Sequence, residues 1–329
     1  MLRTLVARAD AFALARPFRI SRGVKTVADV ITVEIAADGA IGRGEGVPYP
    51  RYGETIAGAL DQIALARDAV AAGATRDELL AVMPAGAARN AVDCALWDLE
   101  TKLSGHSVTD RLGMPAIGAT PTAMTVGLDT LPAMAAAARA LADVPLIKIK
   151  VDRTDPAQQI RVVRAVAPNP RIIVDPNESW TMAEVEALQP LLAELRVDLL
   201  EQPLPADADD GLDGFRPLVP IAADESAHVA GDVGVLAGKY QVINIKLDKT
   251  GGLTGALALA DAAAAAGLGV MTGSMISTSL SIAPALVIAA RSAFVDLDGP
   301  LWLAADRDGG VRGTDGVLEP PSPGFWGTV

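Results

Sequence analysis

The sequence predicts an α/β fold in which eight parallel strands close into a (β/α)₈ barrel. Eight short β-rich runs follow residue 120, and their starts lie 21 to 28 residues apart. The intervals contain helix-like segments, for example at 132–142, 156–167, 181–195 and 253–266. An open doubly wound sheet would alternate in the same way, but eight even units favour closure into a barrel. The runs occupy residues 122–127, 146–151, 172–177, 197–203, 220–226, 241–247, 269–274 and 294–299.

Roughly the first 115 residues show a different, mixed α and β pattern. Residues 29–36 are strand-like, and the glycine-rich segment IGRGEGVPYPRYGE that follows them is a predicted loop. Helical patterns run from about 54 to 72 and from 85 to 104, and Gly105 is suited to cap the second helix. We therefore expect a smaller α+β unit ahead of the barrel.

The composition excludes several classes of partner and location. The 329 residues carry a net charge of −12, whereas nucleic acids and anionic membranes bind basic faces. No run of eighteen apolar residues occurs, so no membrane span is predicted. Arg3, Arg8 and Asp10 interrupt any apolar core of a signal peptide, and Cys94 is the only cysteine. These features predict a cytoplasmic protein that binds neither nucleic acid nor membrane.

Polar and charged side chains gather at the ends of the predicted strands. In a (β/α)₈ barrel the carboxyl ends of all eight strands meet at one mouth, where the active site lies. Isolated charges there often only solvate loops, but three carboxylates on consecutive strands, flanked by lysine-bearing strands, are harder to explain in that way. The residues at these ends are Thr125, Lys148, Lys150, Asp175, Glu201, Asp224, Lys246, Asp296 and Asp298.

The three carboxylates predict a metal site. Asp175, Glu201 and Asp224 come from neighbouring strands, so their oxygens should converge on one point. Three carboxylates at such close range would repel one another unless a cation lay among them. An all-oxygen set without cysteine or histidine suits Mg²⁺ and does not suit zinc. Salt bridges to the nearby lysines are the alternative explanation.

The lysines predict acid/base chemistry. Lys148 and Lys150 are two residues apart and point to one face of their strand, although such a pair can also mark a solvated edge. Side by side and near a metal, they are expected to lower each other's pKa toward neutral pH. Lys246 lies on the sixth strand, across the ring from the second. Two such bases can remove a proton from one face of a carbon and return one to the other, while Mg²⁺ stabilises the enediolate formed beside a carboxylate.

Several longer motifs add to this pattern: KIK at 148–150, VDPNES at 174–179, EQPLP at 201–205, ADES at 223–226, NIKLDKTGGL at 244–253, YPRYGE at 49–54, PAGAARNAVDCALWDL at 84–99 and DLDGP at 296–300. With these motifs the chain resembles the enolase superfamily, muconate-lactonising subgroup, and within it the dipeptide epimerases. The similarity runs nearly end to end.

The resemblance implies a role for each of the strand-end residues. Asp175, Glu201 and Asp224 would hold one Mg²⁺ per subunit, and Lys150 and Lys246 would be the catalytic pair. The substrate would be contacted by Lys148, by Thr125, and by Asp296 and Asp298, the last two receiving its ammonium group. Turn formation at Asp-Gly-Pro is an alternative explanation for the DLDGP motif.

The resemblance also implies a domain organisation. Residues 1–118 would form an α+β capping domain, 119–300 the barrel, and 301–329 a tail that returns to the cap. A loop near residue 20 would close over the substrate. Members of such superfamilies often form homo-oligomers, but the sequence predicts no interface.

The implied activity is epimerisation of dipeptides at the C-terminal residue, namely the interconversion of L-Ala-D-Glu and L-Ala-L-Glu in murein peptide recycling. The glutamyl side chain needs a cation, for which Arg22 or Lys25 is a candidate, unless both are plain surface charge. Arg22 is preferred because a guanidinium matches a carboxylate bidentately. Ser274, after the seventh strand, is a further candidate substrate contact.

Two kinds of alternative remain open at this stage. The same machinery serves N-acylamino-acid racemases, o-succinylbenzoate synthases and muconate cycloisomerases, whose substrates lack the ammonium group that an acidic pair would hold. A non-catalytic barrel that binds a metal or a peptide, with the lysines in structural ion pairs, belongs to a different class.

Overall fold

The computed structural model describes residues 2–20 and 23–329. Its N-terminal unit is a three-stranded antiparallel sheet packed against helices. The strands are β1 (Thr4–Ile20), β2 (Gly23–Ala37) and β3 (Ala40–Gly46), in that spatial order. The helices are α1 (Ile56–Ala71), α2 (Arg76–Val82), α3 (Ala87–Ser104) and α4 (Val108–Arg111). The predicted end of α3 is confirmed, since Gly105 follows it with a left-handed φ of 71°.

Strand β3 corrects the sequence prediction of a loop over residues 41–54 for its first six residues, whereas most of 47–54 lies outside regular strands and α-helices. Gly42, Gly44 and Gly46 alternate along β3 and face the backbone of α3. A Cβ atom at any of the three would lie only 2.1–2.2 Å from a carbonyl oxygen of that helix. The glycines therefore permit close packing of a strand on a helix. Composition alone suggested a loop because glycine is also common in turns.

The eight predicted barrel strands are confirmed, and each pairs in parallel with the next one along the chain. A two-residue strand, β4 (Thr120–Pro121), precedes them. The barrel strands are β5 (Ala123–Val126), β6 (Leu146–Lys150), β7 (Arg171–Asp175), β8 (Leu199–Glu201), β9 (Ile221–Ala223), β10 (Val242–Ile245), β11 (Gly269–Gly273) and β12 (Phe294–Asp296).

Helices connect most of these strands, as the even spacing predicts. They are α5 (Leu131–Ala140), α6 (Pro156–Val166), α7 (Met182–Glu194), α8 (Val233–Leu236), α9 (Leu247–Thr250), α10 (Leu253–Ala265) and α11 (Ser279–Ala289). Among the helices of residues 2–20 and 23–329, none combines the length and apolar character needed to cross a membrane.

One layer of apolar side chains fills the interior of the barrel, with one residue from each strand. Because side chains alternate along a strand, the residue two positions further on also points inward, but toward the mouth. The layer therefore aims the strand-end polar groups at a common space. Its members are Ala123, Leu146, Ile173, Leu199, Ala222, Val242, Met271 and Phe294.

Side chains close the seam between β12 and β5, the two edge strands of the eight-stranded sheet. The backbone N–H of Leu297 donates to Thr122 Oγ1 at 2.8 Å. The backbone N–H of Thr125 donates to Asp298 Oδ2 at 3.0 Å. Asp298 thus contributes to barrel closure beside the site.

The C-terminal tail packs against the N-terminal unit. It contains β13 (Arg312–Thr314) and β14 (Val317–Glu319), which form a small sheet with β4. The indole N–H of Trp326 donates to the carbonyl of Cys94 in α3 at 3.0 Å. The backbone N–H of Gly327 donates to Asp98 Oδ1 at 2.9 Å.

Candidate active site

The strand-end residues meet at one mouth of the barrel, in a cavity of about 480 Å³. Asp175, Glu201 and Asp224 lie at its base with almost no exposure to solvent. The other predicted site residues within the described part of the chain line the cavity itself; they are Thr125, Lys148, Lys150, Lys246, Ser274, Asp296 and Asp298.

Ammonium groups and carboxylates alternate at the base of the cavity. Lys148 Nζ lies 2.7 Å from Glu201 Oε2, 2.8 Å from Asp296 Oδ2 and 3.1 Å from Asp175 Oδ2. Lys150 Nζ donates to the same Asp175 oxygen at 2.5 Å. One lysine thus bridges three strands, and its neighbour reinforces one of those contacts.

A second pair of lysines surrounds the third carboxylate. Lys246 Nζ donates to Asp224 Oδ2 at 2.6 Å, and Lys249 Nζ donates to Asp224 Oδ1 at 2.7 Å. Lys249 also bonds the backbone carbonyls of Asp224 and Asn244. Asp224 is therefore held on both oxygens by buried cations.

The expectation that Lys148 and Lys150 lower each other's pKa beside a metal stays a prediction, while the nearby carboxylates act in the opposite direction. Burial by itself would lower the pKa of Lys148, but the charges of nearby carboxylates, led by Asp296, outweigh burial and raise it well above its ordinary value. Burial likewise lowers the pKa of Lys246, but the charge of Asp224 raises it, and the net result is a raised pKa. Attraction to carboxylates exceeds the repulsion between ammonium groups.

Many buried charges meet at the site. Among the described residues, six buried carboxylates lie close to four buried lysine ammonium groups. Burial, followed by the charge of Asp175, raises the pKa of Glu201 to about 8. The buried groups counted are Asp175, Glu201, Asp224, Glu225, Asp296, Asp298, Lys148, Lys150, Lys246 and Lys249.

The donor set fits a hard cation, although it is not yet gathered around a single point. Within the part of the chain that the structure describes, no three acidic, histidine or cysteine side chains are already spaced as a metal cage. Instead, the ammonium group of Lys148 lies between Asp175 and Glu201, in contact with both. A positive charge thus stands between two of the three proposed ligands, and carboxylate oxygens suit Mg²⁺.

The two aspartates of the DLDGP motif have different surroundings. Asp296 bonds Lys148 through Oδ2, while its buried Oδ1 has no hydrogen-bond partner among the described residues. Asp298 Oδ2 accepts from the backbone of Thr125 and from the indole N–H of Trp302 at 3.1 Å. Burial, followed by the charge of Asp296, raises the pKa of Asp298 to about 6. Asp296 is therefore the better placed of the two to accept a further hydrogen bond.

Residues of the N-terminal unit form the roof of the cavity. The Tyr49 and Tyr52 rings lie 5.5 Å apart, and Lys25 Nζ is 4.8 Å from the centre of the Tyr49 ring. Arg51 makes a bidentate ion pair, at 2.8 and 2.7 Å, with Glu178 in the loop after β7. The predicted contact Arg22 lies outside the described residues.

Sequence reasoning missed two residues of the mouth. Asn244 Nδ2 donates to Glu201 Oε1 at 2.9 Å and so orients that carboxylate. A Cβ at Gly273 would lie 2.7 Å from Asn244 Oδ1 and 3.0 Å from Lys246 Cε, so only glycine leaves both side chains in place. The alternation along β10 could have identified Asn244, because it precedes Lys246 by two residues. No sequence signal distinguishes Gly273 from a turn glycine.

Two family models match the chain. Residues 2–113 match the model described as mandelate racemase / muconate lactonizing enzyme, N-terminal domain. Residues 133–325 match the model described as enolase C-terminal domain-like.

Individual proteins match over nearly their whole lengths. The chain is 44% identical to L-Ala-D/L-Glu epimerase of Escherichia coli (strain K12) over 319 residues, 96% of this chain and 99% of the relative. It is 42% identical to N-acetyl-D-glutamate racemase of Pseudoalteromonas sp over 300 residues, 91% and 95% of the two chains. A crystal structure of an enolase family member from Agrobacterium tumefaciens, with homology to dipeptide epimerases and with bound sodium and L-Ala-L-Glu, superposes with a TM-score of 0.96 at 49% identity, covering 99% of this chain and 100% of that chain.

Proposed function

We propose that this chain, which belongs to the mandelate racemase / muconate lactonizing enzyme family of the enolase superfamily, is a dipeptide epimerase that interconverts L-Ala-D-Glu and L-Ala-L-Glu. The observation that carries the proposal is the placement of Lys150 and Lys246 in one cavity, above three buried carboxylates. The two lysines belong to strands four apart in an eight-stranded ring, so they approach a bound carbon from opposite sides.

Asp175, Glu201 and Asp224 would hold one Mg²⁺, which when bound supplies the positive charge that stabilises an enediolate beside the substrate carboxylate. The same carboxylate charges now raise the pKa of Lys148 and Lys246. A cation that engaged those charges would lower the pKa of Lys246 and so favour proton exchange by this lysine near neutral pH.

The proton transfer follows from the positions of the two lysines. The lysine on one face, in its neutral form, takes the α-proton of the glutamyl residue. The protonated lysine on the other face then donates a proton to the same carbon, which inverts its configuration. Lys148, between them and the carboxylates, contacts the substrate carboxylate in this proposal and does not transfer a proton.

The remaining substrate contacts are assigned by charge. Asp296 Oδ1 receives the substrate ammonium group, with Asp298, Thr125 and Ser274 beside it. Lys25, which stands over the Tyr49 ring on the cavity wall, is the described cation that can meet the glutamyl side chain. Arg22 remains the other candidate for that contact.

The proposed reaction belongs to recycling of murein peptides in the cytoplasm, because L-Ala-D-Glu is a fragment of that material. Domain boundaries near residues 118 and 300 are part of the same proposal, with the tail supporting the cap through contacts such as that of Trp326 with α3. The expected ligands of the protein are then a small dipeptide and Mg²⁺, and a homo-oligomer is the assembly to be tested.

A second candidate is racemisation of an N-acylated glutamate, which the similarity to the Pseudoalteromonas racemase favours. The same lysines and carboxylates would act. Such a substrate has no ammonium group, so it would offer no hydrogen-bond donor to Asp296 Oδ1, which has no partner among the described residues.

Exchange in D₂O with Mg²⁺ separates the candidates. We expect deuterium at the glutamyl α-carbon of L-Ala-L-Glu, and much slower exchange of N-propanoyl-L-glutamate, which differs only in lacking the amine. A panel of L,L-dipeptides scored by mass gain then tests the preference for an acidic second residue. Faster exchange of the propanoyl compound would favour the N-acyl substrate, and no exchange of either would contradict the proposal.

A further inference from the structure

Gln202 occupies an unusual position in the backbone of the mouth. It directly follows Glu201, is fully buried and has a φ of 32°, on the left-handed side where residues other than glycine are disfavoured. Such a conformation costs on the order of 1 kcal/mol or more and persists only where the surrounding contacts demand it. The contacts of Gln202 therefore indicate what the strain achieves.

The main chain and side chain of Gln202 connect three strand ends. Its Oε1 accepts from the backbone N–H of Asp224 at 2.8 Å and of Ser226 at 3.1 Å. Its backbone carbonyl accepts from the N–H of Glu178 at 2.9 Å, in the loop that follows Asp175. One residue thus links the ends of β7, β8 and β9, which bear the three carboxylates.

A buried network fixes the orientation of the Gln202 amide. Its Nε2 lies 2.9 Å from the carbonyl of Leu204, 2.9 Å from Ser226 Oγ and 3.0 Å from the Tyr240 hydroxyl. Three oxygens on this side and two N–H groups on the other leave no doubt about which way the amide points.

An aspartate terminates the network on the side away from the cavity. Asp209 Oδ2 accepts from the Tyr240 hydroxyl at 2.6 Å and from Ser226 Oγ at 2.7 Å, while its Oδ1 pairs with Lys239 at 2.6 Å. Burial, followed by the bond to Asp209, raises the pKa of Tyr240, so its hydroxyl keeps its proton and remains a donor to Asp209. Asp209 thereby holds Tyr240 and Ser226 against the amide.

We propose that Gln202, held by Tyr240 and Asp209, positions the Asp224 carboxylate for Mg²⁺. The inference rests on the proposed metal site. None of the three is among the described residues that line the cavity, so they act through the backbone of Asp224 and not on the substrate. Partners behind metal ligands commonly change metal affinity 10–100-fold when removed.

Calorimetric titration of the full chain with Mg²⁺ and no substrate tests this role. Tyr240→Phe, which removes only the hydroxyl, is expected to weaken Mg²⁺ binding about 10-fold, and Gln202→Met more strongly. At saturating Mg²⁺ the Tyr240→Phe enzyme should keep its KM for the dipeptide, because the cavity wall is unchanged. The half-saturating Mg²⁺ concentration should rise in parallel with the measured Kd.

A matched control separates positioning from stability. Thr254→Val also removes a hydroxyl that donates to a buried aspartate, Asp93, at 2.6 Å, in the contact between α3 and α10. It should lower the thermal midpoint without changing the Kd for Mg²⁺. Equal Mg²⁺ affinity in wild type, Tyr240→Phe and Gln202→Met would overturn the inference alone. A wild-type chain that binds no Mg²⁺ would overturn the proposed metal site and this inference together.

Discussion

Individual side chains reach the mouth of the barrel through the two-residue repeat of their strands. Asp175 lies two positions after Ile173 of the apolar layer, and Glu201 lies two positions after Leu199. The same repeat puts Lys148 and Lys150 above Leu146. The chemistry of the site therefore depends on a register that the core sets, since a shift of one residue would turn these groups outward.

Asp296 should determine whether the enzyme prefers a free amine. Asp296→Asn removes a charge that we expect to bind the substrate ammonium, and a charge-assisted hydrogen bond contributes about 1.5–3 kcal/mol. The ratio of kcat/KM for L-Ala-L-Glu to that for N-propanoyl-L-glutamate should fall about 10-fold or more. Using the ratio cancels any effect of freeing Lys148, which both substrates share. An unchanged ratio would show that the ammonium group binds elsewhere.

Asp248 should make stability depend on pH. Burial raises its pKa from 3.8 to about 7, so the folded protein binds one more proton than the unfolded chain between these values. The free energy of unfolding then falls with rising pH, by at most about 1.4 kcal/mol per pH unit between about pH 4 and 7, and this contribution is lost above the folded pKa.

Asp248→Asn isolates that contribution. Asparagine can still accept from the backbone N–H of Val47 and the Asn90 amide, which both bond Oδ1. Urea unfolding of both proteins from pH 4.5 to 7.5 should show the wild type losing stability relative to the variant as pH rises. Parallel curves would contradict the raised pKa.

At the scale of elements, the packing of β3 on α3 fixes the N-terminal unit beside the barrel. The three glycines of β3 let the strand lie against the helix backbone, and α3 in turn contacts α9 and the C-terminal tail. Arg51 and Glu178 join the N-terminal unit to the loop after β7. The N-terminal residues that form the roof of the cavity are thus fixed through α3 on one side and through the Arg51–Glu178 ion pair on the other.

Gly44→Ala should destabilise the protein strongly. The added Cβ would lie 2.1 Å from the carbonyl oxygen of Ala91, and backbone on both sides of the contact cannot yield as a flexible side chain would. Overpacking of this kind costs about 1–3 kcal/mol, and this contact belongs at the upper end. Gly118→Ala, where a Cβ meets nothing within 4 Å, is the control and should change stability little. Equal unfolding midpoints for the two variants would contradict the packing account.

The sequence predicted the barrel well because its signal repeats eight times. Each strand carries its own apolar run. The alternation of side chains along that run is enough to predict that the polar residue at its end points into the mouth. The glycine-rich β3 was missed because glycine signals a turn when the helix it packs against is unknown. The raised pKa of Lys148 was not predicted, because it depends on four carboxylates from the ends of four different strands, which come together only in three dimensions.

For the whole molecule, the N-terminal unit, the barrel and the tail meet at one ion pair. Glu45 of β3 is fully buried and accepts from Arg307 of the tail at 2.8 Å and from the backbone N–H of Thr278, which caps α11, at 2.8 Å. The loop between β11 and α11 that contains Ser274 is thereby tied to both the N-terminal unit and the tail. The N-terminal unit and the barrel line the cavity, and the tail helps to hold the two together.

Mg²⁺ should stabilise the folded molecule as a whole. A ligand at 100 times its Kd adds about 2.7 kcal/mol, so the thermal midpoint should rise by several degrees with Mg²⁺ and return with EDTA. Glu201→Gln should abolish the response, because the variant lacks one of the three carboxylates that would hold the ion. A Mg²⁺-dependent shift that survives in Glu201→Gln would place the ion elsewhere.

The most direct test of opposed lysines is α-proton exchange of each diastereomer in D₂O by Lys150→Ala and Lys246→Ala. Wild type should incorporate deuterium from both L-Ala-L-Glu and L-Ala-D-Glu and interconvert them. Each variant should lose interconversion by about 10³-fold or more, with any residual exchange confined to one diastereomer and the opposite one in the other variant. Interconversion at the wild-type rate by either variant would contradict the two-lysine account.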